Sequence, residues 1–276
     1  MIEITLPDGS NTGVPQNVFD LLVGLREGAQ NPQELPKFWN LSRAMTSYSD
    51  TFLEFYGFMV SNCRLSHAQL FQDLFVLFML EGKERGRFLE FGATDGVKRS
   101  NSLLLEKSFG WTGVLAEPSP QWHEALRRNR PEAEIVTDCI YATTGETLDF
   151  FVSENGELST LEQFRQSDAT SMPGNAKSRN AKGHHHKVHS LALNDLFKRH
   201  MDHAPIDYMS VDTEGSELLI LETFDFARYG PKIITVEHNH SDAEAGLDQL
   251  LAKNGYQRYF TAYTQFDAWY VKHANA

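Results

Sequence analysis

The residues with the clearest chemical potential gather at turns that follow short apolar runs. Phe88-Leu89-Glu90-Phe91-Gly92-Ala93-Thr94-Asp95-Gly96 reads E-x-G-x-x-x-G at the carboxyl end of a predicted strand and before a predicted helix. Glycines in such a turn let the backbone come close to a ligand, and the free N–H groups of a helix start attract a carboxylate or phosphate. The dinucleotide fingerprint G-x-G-x-x-G needs a glycine where Thr94 stands, which counts against hydride transfer. The next predicted strand closes at Glu117, where an acidic residue in this kind of sheet hydrogen-bonds the ribose of a nucleoside. A third closes at Asp138-Cys139, a carboxylate placed either to accept from an adenine amino group or to stand as a solvated turn residue. Two later strands end in Asp212-Thr213-Glu214-Gly215-Ser216-Glu217 and in Glu237-His238-Asn239. In open α/β sheets ligands bind outside the carboxyl ends of the strands, where strand order reverses. Asp212, Glu214, Glu237, His238 and Asn239 therefore collect beside the predicted nucleoside site. Glu217 fits a first helical turn, where a carboxylate favours the dipole. A carboxylate closing a buried strand is costly without a partner, which singles out Asp212.

These positions depend on the elements that carry them. Strands are predicted at 87–91, 113–117, 133–138, 206–212, 232–237, 257–262 and 266–272, with helices between them at 101–109, 120–129, 193–200, 216–223 and 242–254. Strands alternating with helices imply a mostly parallel sheet covered on both faces. The last two strands, joined through Tyr263-Thr264-Gln265, are too close for a crossover and should form an antiparallel hairpin. The expected fold is an α/β, Rossmann-like methyltransferase sheet with a helical amino-terminal cap. The cap would occupy residues 1–65, with a helix opened by Pro15 over Val18–Leu25 and another from an N-cap at Ser49 to Val60, and the catalytic domain residues 66–276. In the second helix Phe52, Phe55, Tyr56 and Met59 share one face, either packing into a core or shielding a substrate. A third helix is expected from Ser66 to Leu80. Residues 155–187 are polar and aperiodic, which predicts a long loop, functional or disordered.

Composition limits the function classes. The chain has 276 residues, 41% hydrophobic and 22% charged, enough for a substantial core. Its 25 basic and 37 acidic residues give a net charge of −12, which disfavours nucleic acid as a partner. The longest apolar run, Leu74 to Leu80, is far short of the ~20 residues of a membrane-spanning helix. The first residues lack a basic and apolar leader, and the two cysteines, Cys63 and Cys139, fit a reducing compartment, so the cytoplasm is the expected location. His184, His185, His186 and His189 fall in the polar loop, where adjacent histidines rarely converge on one ion. Cys139 has no evident activating partner and reads as inert packing.

Four segments together resemble the FkbM-type S-adenosylmethionine-dependent methyltransferases: QLFQDLFVL (69–77), FLEFGATDGVKRSNSLLLE (88–106), GWTGVLAEP (110–118) and DYMSVDTEGSELLIL (207–221). The similarity runs over about residues 66–272 and includes the D-x-E-G-x-E signature and the Ser100-Asn101 pair; residues 1–65 match nothing. It implies methyl transfer from S-adenosylmethionine, usually to an oxygen on a sugar, glycan or other natural product. Glu90, Gly92 and Gly96 would line the methionine end of the cofactor, Glu117 would hold the ribose and Asp138 the adenine edge. Asp95, Ser100, Asn101, Pro118, Cys139 and Asp212 complete the implied cofactor set. Thr94 replaces the more usual asparagine and keeps a hydrogen-bonding group there.

A protonated alcohol is a poor nucleophile, so a general base should take its proton as the new bond forms. The candidates are Asp212 and His238, with Glu237 orienting the histidine, whose ordinary pKa lies near neutrality. Asp212, Glu214, Glu237 and Asn239 are also hard oxygen donors of the kind Mg²⁺ prefers, although no spacing here requires a metal. Methylation of adenine in nucleic acid normally uses an Asp/Asn-Pro-Pro-aromatic turn, and this chain has Asp212-Thr213-Glu214-Gly215 instead. The remaining alternatives are an N-methyltransferase acting on RNA or a small molecule, and a non-catalytic relative that keeps the nucleoside pocket as a binding or scaffold protein. Acceptor identity and oligomeric state are not encoded in any motif.

Overall fold

The structure, a computed structural model, describes residues 2–5, 11–14, 50–202 and 206–273. The expected helix over 18–25 and the N-cap at Ser49 lie outside the described residues. Strands β1 (Ile2–Thr5) and β2 (Asn11–Val14) pair as an antiparallel hairpin, so the amino-terminal stretch is not helical throughout. Among the described residues no helix is long and apolar enough to cross a membrane.

The centre is a seven-stranded sheet built from β3 (Arg87–Phe91), β4 (Thr112–Ala116), β5 (Glu134–Val136), β10 (Tyr208–Val211), β11 (Ile233–Glu237), β12 (Tyr256–Tyr259) and β13 (Asp267–Lys272). Its order is β12-β13-β11-β10-β3-β4-β5. β3, β4, β5, β10 and β11 run parallel, and β13 is antiparallel to both neighbours. This is the mixed α/β, Rossmann-like sheet expected from the alternating pattern. Strand order reverses between β3 and β10, so their carboxyl ends open onto one crevice.

Continuous apolar runs make the central strands because both faces are covered. Successive side chains alternate between the faces. Leu89, Phe91, Met209, Val211, Ile234 and Val236 join one core, while Phe88, Tyr208, Ile233 and Trp269 join the other. That second core takes in the helix Asp50–Asn62, where Phe55 stacks on Phe260 with ring centroids 5.1 Å apart. Phe75 of the helix Gln72–Met79 lies 4.6 Å from the Trp269 ring. The aromatic face of residues 52–59 is thus core packing against the terminal hairpin. A single helical turn, Thr261–Thr264, fills the hairpin connection. The helix Leu103–Phe109 stops at Gly110, which takes the left-handed conformation (φ 65°) common just past a helix end.

The polar stretch 155–187 departs most from expectation. It belongs to a second, four-stranded sheet formed by β6 (Cys139–Tyr141), β7 (Thr147–Ser153), β8 (Thr160–Leu161) and β9 (Gly183–Ala192), in the order β6-β9-β7-β8. The helix Pro173–Ala181 lies within it. His184, His185, His186 and His189 are exposed residues of strand β9 and not part of a loop. Apolar periodicity is missing because the backbone pairs fully with β7 while the side chains stay in water. Inside, the segment is held by a buried guanidinium, Arg179, which hydrophobic patterning does not register.

Candidate active site

A cavity of about 380 Å³ opens at the carboxyl ends of β3, β4, β10 and β11, within the size range of small-molecule sites. The main sheet supplies its floor, and residues between Asn155 and Ser178 of the second sheet form a roof. Of the residues singled out in the sequence, Glu90, Gly92, Asn101, Glu117, Pro118 and Cys139 line it, as do Asp212, Glu214, Glu237 and Asn239. Asp95, Gly96, Ser100, Asp138 and His238 do not.

Glu90 is buried at the end of β3, and the loop folds around it. Ser100 Oγ donates at 3.0 Å and the Asn101 N–H at 2.9 Å, with a further short hydrogen bond from Ser102. Ser100 thus acts behind the wall, where Arg130 also reaches its hydroxyl at 3.1 Å. Asp95 Oδ1 accepts the N–H groups of Val97 and Lys98, both at 2.9 Å, and shapes the loop without facing the cavity. Both motif glycines have left-handed backbones, but their neighbours are protein. A Cβ on Gly92 would sit 2.0 Å from the Asp212 carbonyl oxygen, and one on Gly96 2.6 Å from the Arg130 side chain. The turn therefore packs the strand ends together first and shapes the cavity second.

Glu117 is buried at the end of β4, accepting the Thr94 and Ser119 N–H groups at 2.8 Å each. Burial outweighs these bonds and pushes its pKa up to about 7. Burial also pushes the Cys139 thiol up to about 12, so it is no nucleophile at neutral pH. Asn101 Oδ1 is buried without a hydrogen-bond partner and belongs to a cavity-lining residue. S-adenosylmethionine fits this set. Its ammonium would supply the donor that Asn101 Oδ1 lacks, its ribose hydroxyls would have the remaining lone pairs of Glu117 as acceptors, and its sulfonium would suit a wall that holds several carboxyl groups. Apolar Ile140, Leu161 and Pro118 suit the faces of a base.

On the β10 side the chain turns sharply. Glu214 has φ 59°, strained for a side-chain-bearing residue, and strain of this kind concentrates at functional sites. Glu217 holds the turn, its Oε1 accepting from the Thr213 and Gly215 N–H groups at 2.9 Å. Carboxylate oxygens of Asp212, Glu214 and Glu237 lie within 4.8 Å of one another. Desolvation, followed by the charges of Glu217 and Asp267, raises the Asp212 pKa to about 7. Glu214 and Glu237 are pushed up by burial and by Asp212. Asn239 Nδ2 donates to Glu237 at 2.7 Å. Arg179 Nη2 lies 2.6 Å from Glu214 Oε2.

His238 points the other way, a correction to its reading as a base oriented by Glu237. Side chains alternate at the end of β11, so Glu237 faces the cavity and His238 turns from it. The imidazole is buried between the helix Ala243–Lys253 and β12. Its Nδ1 lies 3.1 Å from the His240 N–H and 3.4 Å from Glu244, and its Nε2 is 3.3 Å from Arg258. Burial lowers its pKa. Asp138 likewise stands beyond the end of β5 and off the cavity wall, because the strand stops at Val136.

Three participants carry no motif signal. Asp267, at the start of β13, lines the cavity, accepts Gln72 Nε2 at 2.6 Å and is raised by burial to about 6. Arg179 and its partner Asp168 come from the polar stretch, and nothing in their sequence neighbourhood points to Glu214.

The chain is similar to two solved structures at low identity. One is precorrin-6y C5,15-methyltransferase from Geobacter metallireducens, with 13% identity, a TM-score of 0.37, and coverage of 67% of this chain and 70% of that one. The other is the fibrillarin/Nop5p complex, with 12% identity, a TM-score of 0.31, and coverage of 71% and 78%. Neither likeness bears on activity. No curated protein matches the sequence. The methyltransferase FkbM domain, in contrast, matches residues 90–258, which contain Glu90, the glycine turn, Glu117 and the D-x-E-G-x-E turn. The chain belongs to the FkbM family of S-adenosylmethionine-dependent methyltransferases.

Proposed function

We propose that the protein methylates a hydroxyl oxygen on a sugar, glycan or comparable small molecule, with Asp212 as the general base. The reading rests on one observation: the Asp212 carboxyl lines the cavity beside the glycine turn, within 4.8 Å of those of Glu214 and Glu237, where desolvation holds its pKa up to about 7. Bound S-adenosylmethionine supplies a sulfonium methyl, an electrophile that needs no further activation. The protein's task is to align the acceptor and receive its proton. At neutral pH a group with this pKa is partly ionised, so Asp212 accepts the proton at Oδ as the acceptor oxygen loses it. Desolvation and the charges of Glu217 and Asp267 keep it poised there against a hydrogen bond with Glu237 that lowers it, and Arg179 fixes Glu214. Glu117 and Asn101 hold the cofactor's ribose and ammonium ends, and Glu90 braces the loop between them. The roof residues Asn155, Asn175 and Ser178 offer neutral hydrogen-bonding groups suited to a hydroxylated acceptor. Residues 1–65 act with this domain as an amino-terminal extension, and the two free cysteines are compatible with a cytoplasmic site of action.

The first test needs no acceptor. Calorimetric titration of S-adenosylhomocysteine should give micromolar binding to wild type. Glu117→Ala should bind at least about tenfold more weakly, since a hydrogen bond to a charged group contributes about 1.5–3 kcal/mol. Absence of binding by wild type would refute the cofactor assignment. A panel of hydroxylated and amine acceptors, followed by methyl release, then separates O- from N-methylation.

A further inference from the structure

The deeper cavity wall carries the carboxyl groups of Glu90, Glu117, Asp212, Glu214, Glu237 and Asp267. Two basic side chains line it, Lys98 and Arg99, and both stand at the mouth. They meet the same carboxylate. Lys98 Nζ is 2.8 Å from Glu157 Oε1, and Arg99 Nη1 is 2.9 Å from Glu157 Oε2.

The backbone on either side is fixed, unlike that of a casual surface pair. Asp95 ties down the N–H of Lys98, and Arg99 is held in a left-handed conformation (φ 58°) by a parallel bridge to Ala68. Glu157 sits on the turn Gly156–Leu158 of the roof, where a Cβ on Gly156 would lie 2.4 Å from Trp122. The lysine and arginine are 65% and 50% exposed while the carboxylate is 19% exposed, so two solvated cations reach inward to one sheltered anion. Solvated ion pairs are weak and exchange readily. Arginine beside a second cation matches a carboxylate or phosphate well. The deeper wall repels anions, which leaves the mouth as the position where one is matched.

We propose that Lys98 and Arg99 form an oxyanion subsite, for a carboxylate or phosphate, in which Glu157 is the place-holder that an entering ligand displaces. The inference rests on the methyltransferase reading of the cavity. Two sources share this chemistry: the carboxylate of the cofactor's own methionine part, and an acidic group on the acceptor.

Titrations separate them. S-adenosylhomocysteine and 5′-methylthioadenosine, which lacks the amino-acid part, are titrated into wild type, K98Q/R99Q and E157Q; pyrophosphate is titrated into the S-adenosylhomocysteine-saturated proteins. If the cofactor is the source, K98Q/R99Q weakens S-adenosylhomocysteine at least tenfold and leaves methylthioadenosine unchanged, while E157Q tightens S-adenosylhomocysteine. If the acceptor is the source, S-adenosylhomocysteine is unchanged, and pyrophosphate binding is lost in K98Q/R99Q and tightened in E157Q. The proposal is overturned if neither anion responds to K98Q/R99Q, or if E157Q weakens anion binding, as a plain structural latch would. Failure of wild type to bind S-adenosylhomocysteine would instead refute the cofactor reading, and pyrophosphate titrated into the unliganded proteins would then judge the subsite alone.

Discussion

Replacing Arg179 with methionine removes a guanidinium that pins the roof to the Asp212 turn. The side chain is fully buried. Its Nε donates to the Leu158 carbonyl at 2.9 Å and Nη1 to the Arg165 carbonyl at 3.1 Å. Nη1 and Nη2 grip the two oxygens of Asp168 at 2.6 and 3.0 Å, and Nη2 also donates to Glu214 at 2.6 Å. Methionine fills much of the volume but strands two carboxylates, at 1% and 7% exposure, without a cation. Breaking a buried pair by removing one partner costs about 3–5 kcal/mol. Set against a total of about 5–15 kcal/mol, that is a large share of the fold's stability. At roughly 2–4 °C per kcal/mol the melting temperature should fall by about 6–20 °C.

The pH dependence carries the sharper signature. In the variant Glu214, already pushed up by burial and by the Asp212 charge, loses the Arg179 charge that pulls it down, so its folded-state pKa rises further above its unfolded value. Such groups hold their contribution below the unfolded pKa and lose it as pH rises through the folded one. The deficit relative to wild type should therefore be small near pH 4–5 and full near pH 8. Urea melts at the two pH values, read as midpoints at constant slope, measure this directly. Arg179→Lys, which returns a point charge without the fork, should recover part of the loss. A deficit below about 1 kcal/mol, or one equal at both pH values, would refute the assignment of Arg179 as the charge that stabilises this network.

Three further outcomes follow from the geometry. Gly92→Ala places a methyl 2.0 Å from the Asp212 carbonyl in a left-handed backbone, so overpacking of about 1–3 kcal/mol adds to a conformational cost of about 1–2 kcal/mol; a chemical melt matching wild type would contradict it. Once an acceptor is found, wild-type turnover should climb with pH through about 7, because Asp212 must be ionised to act, and Asp212→Asn should lose that limb together with about 10²–10⁴-fold in rate. The same shift has a stability sign: folding disfavours the ionised carboxyl, so wild type should lose more stability than the Asn variant as pH rises from about 4 through 7, the other raised carboxyls being common to both. Exhaustive EDTA should leave S-adenosylhomocysteine binding and turnover unaltered, since Arg179 already compensates Glu214 and a proton can serve the Asp212–Glu237 pair; a loss restored by Mg²⁺ would instead put a metal at Asp212, Glu214 and Glu237.

The sheet was legible because its determinants are local. Five apolar strand runs and the helices between them repeat with the periods of their own secondary structure, and each run ends where its polar residues begin. Glu90, Glu117, Asp212 and Glu237 were legible as cavity residues for the same reason, since topology alone brings the carboxyl ends of neighbouring strands to one crevice. His238 was misread because it lies one residue past that logic: in an extended strand the next side chain points to the opposite face. Gly92 and Gly96 stand out in the sequence as turn glycines, and tertiary structure adds a packing need, since a Cβ on either would strike Asp212 or Arg130.

The sequence by itself determined the mostly parallel sheet with its terminal hairpin, the gathering of its strand ends at one crevice and the membership of the family, all properties of contiguous segments. Tertiary structure alone decided that the polar stretch is a sheet and a roof, that Arg179 joins Asp168 to Glu214, and that Asp267 enters the cavity. Those outcomes depend on which side chains from distant segments are dehydrated together. A charge buried beside a partner far along the chain leaves no periodic trace in the sequence, and the pKa of Asp212 is fixed only once Glu217, Asp267 and Glu237 stand around it.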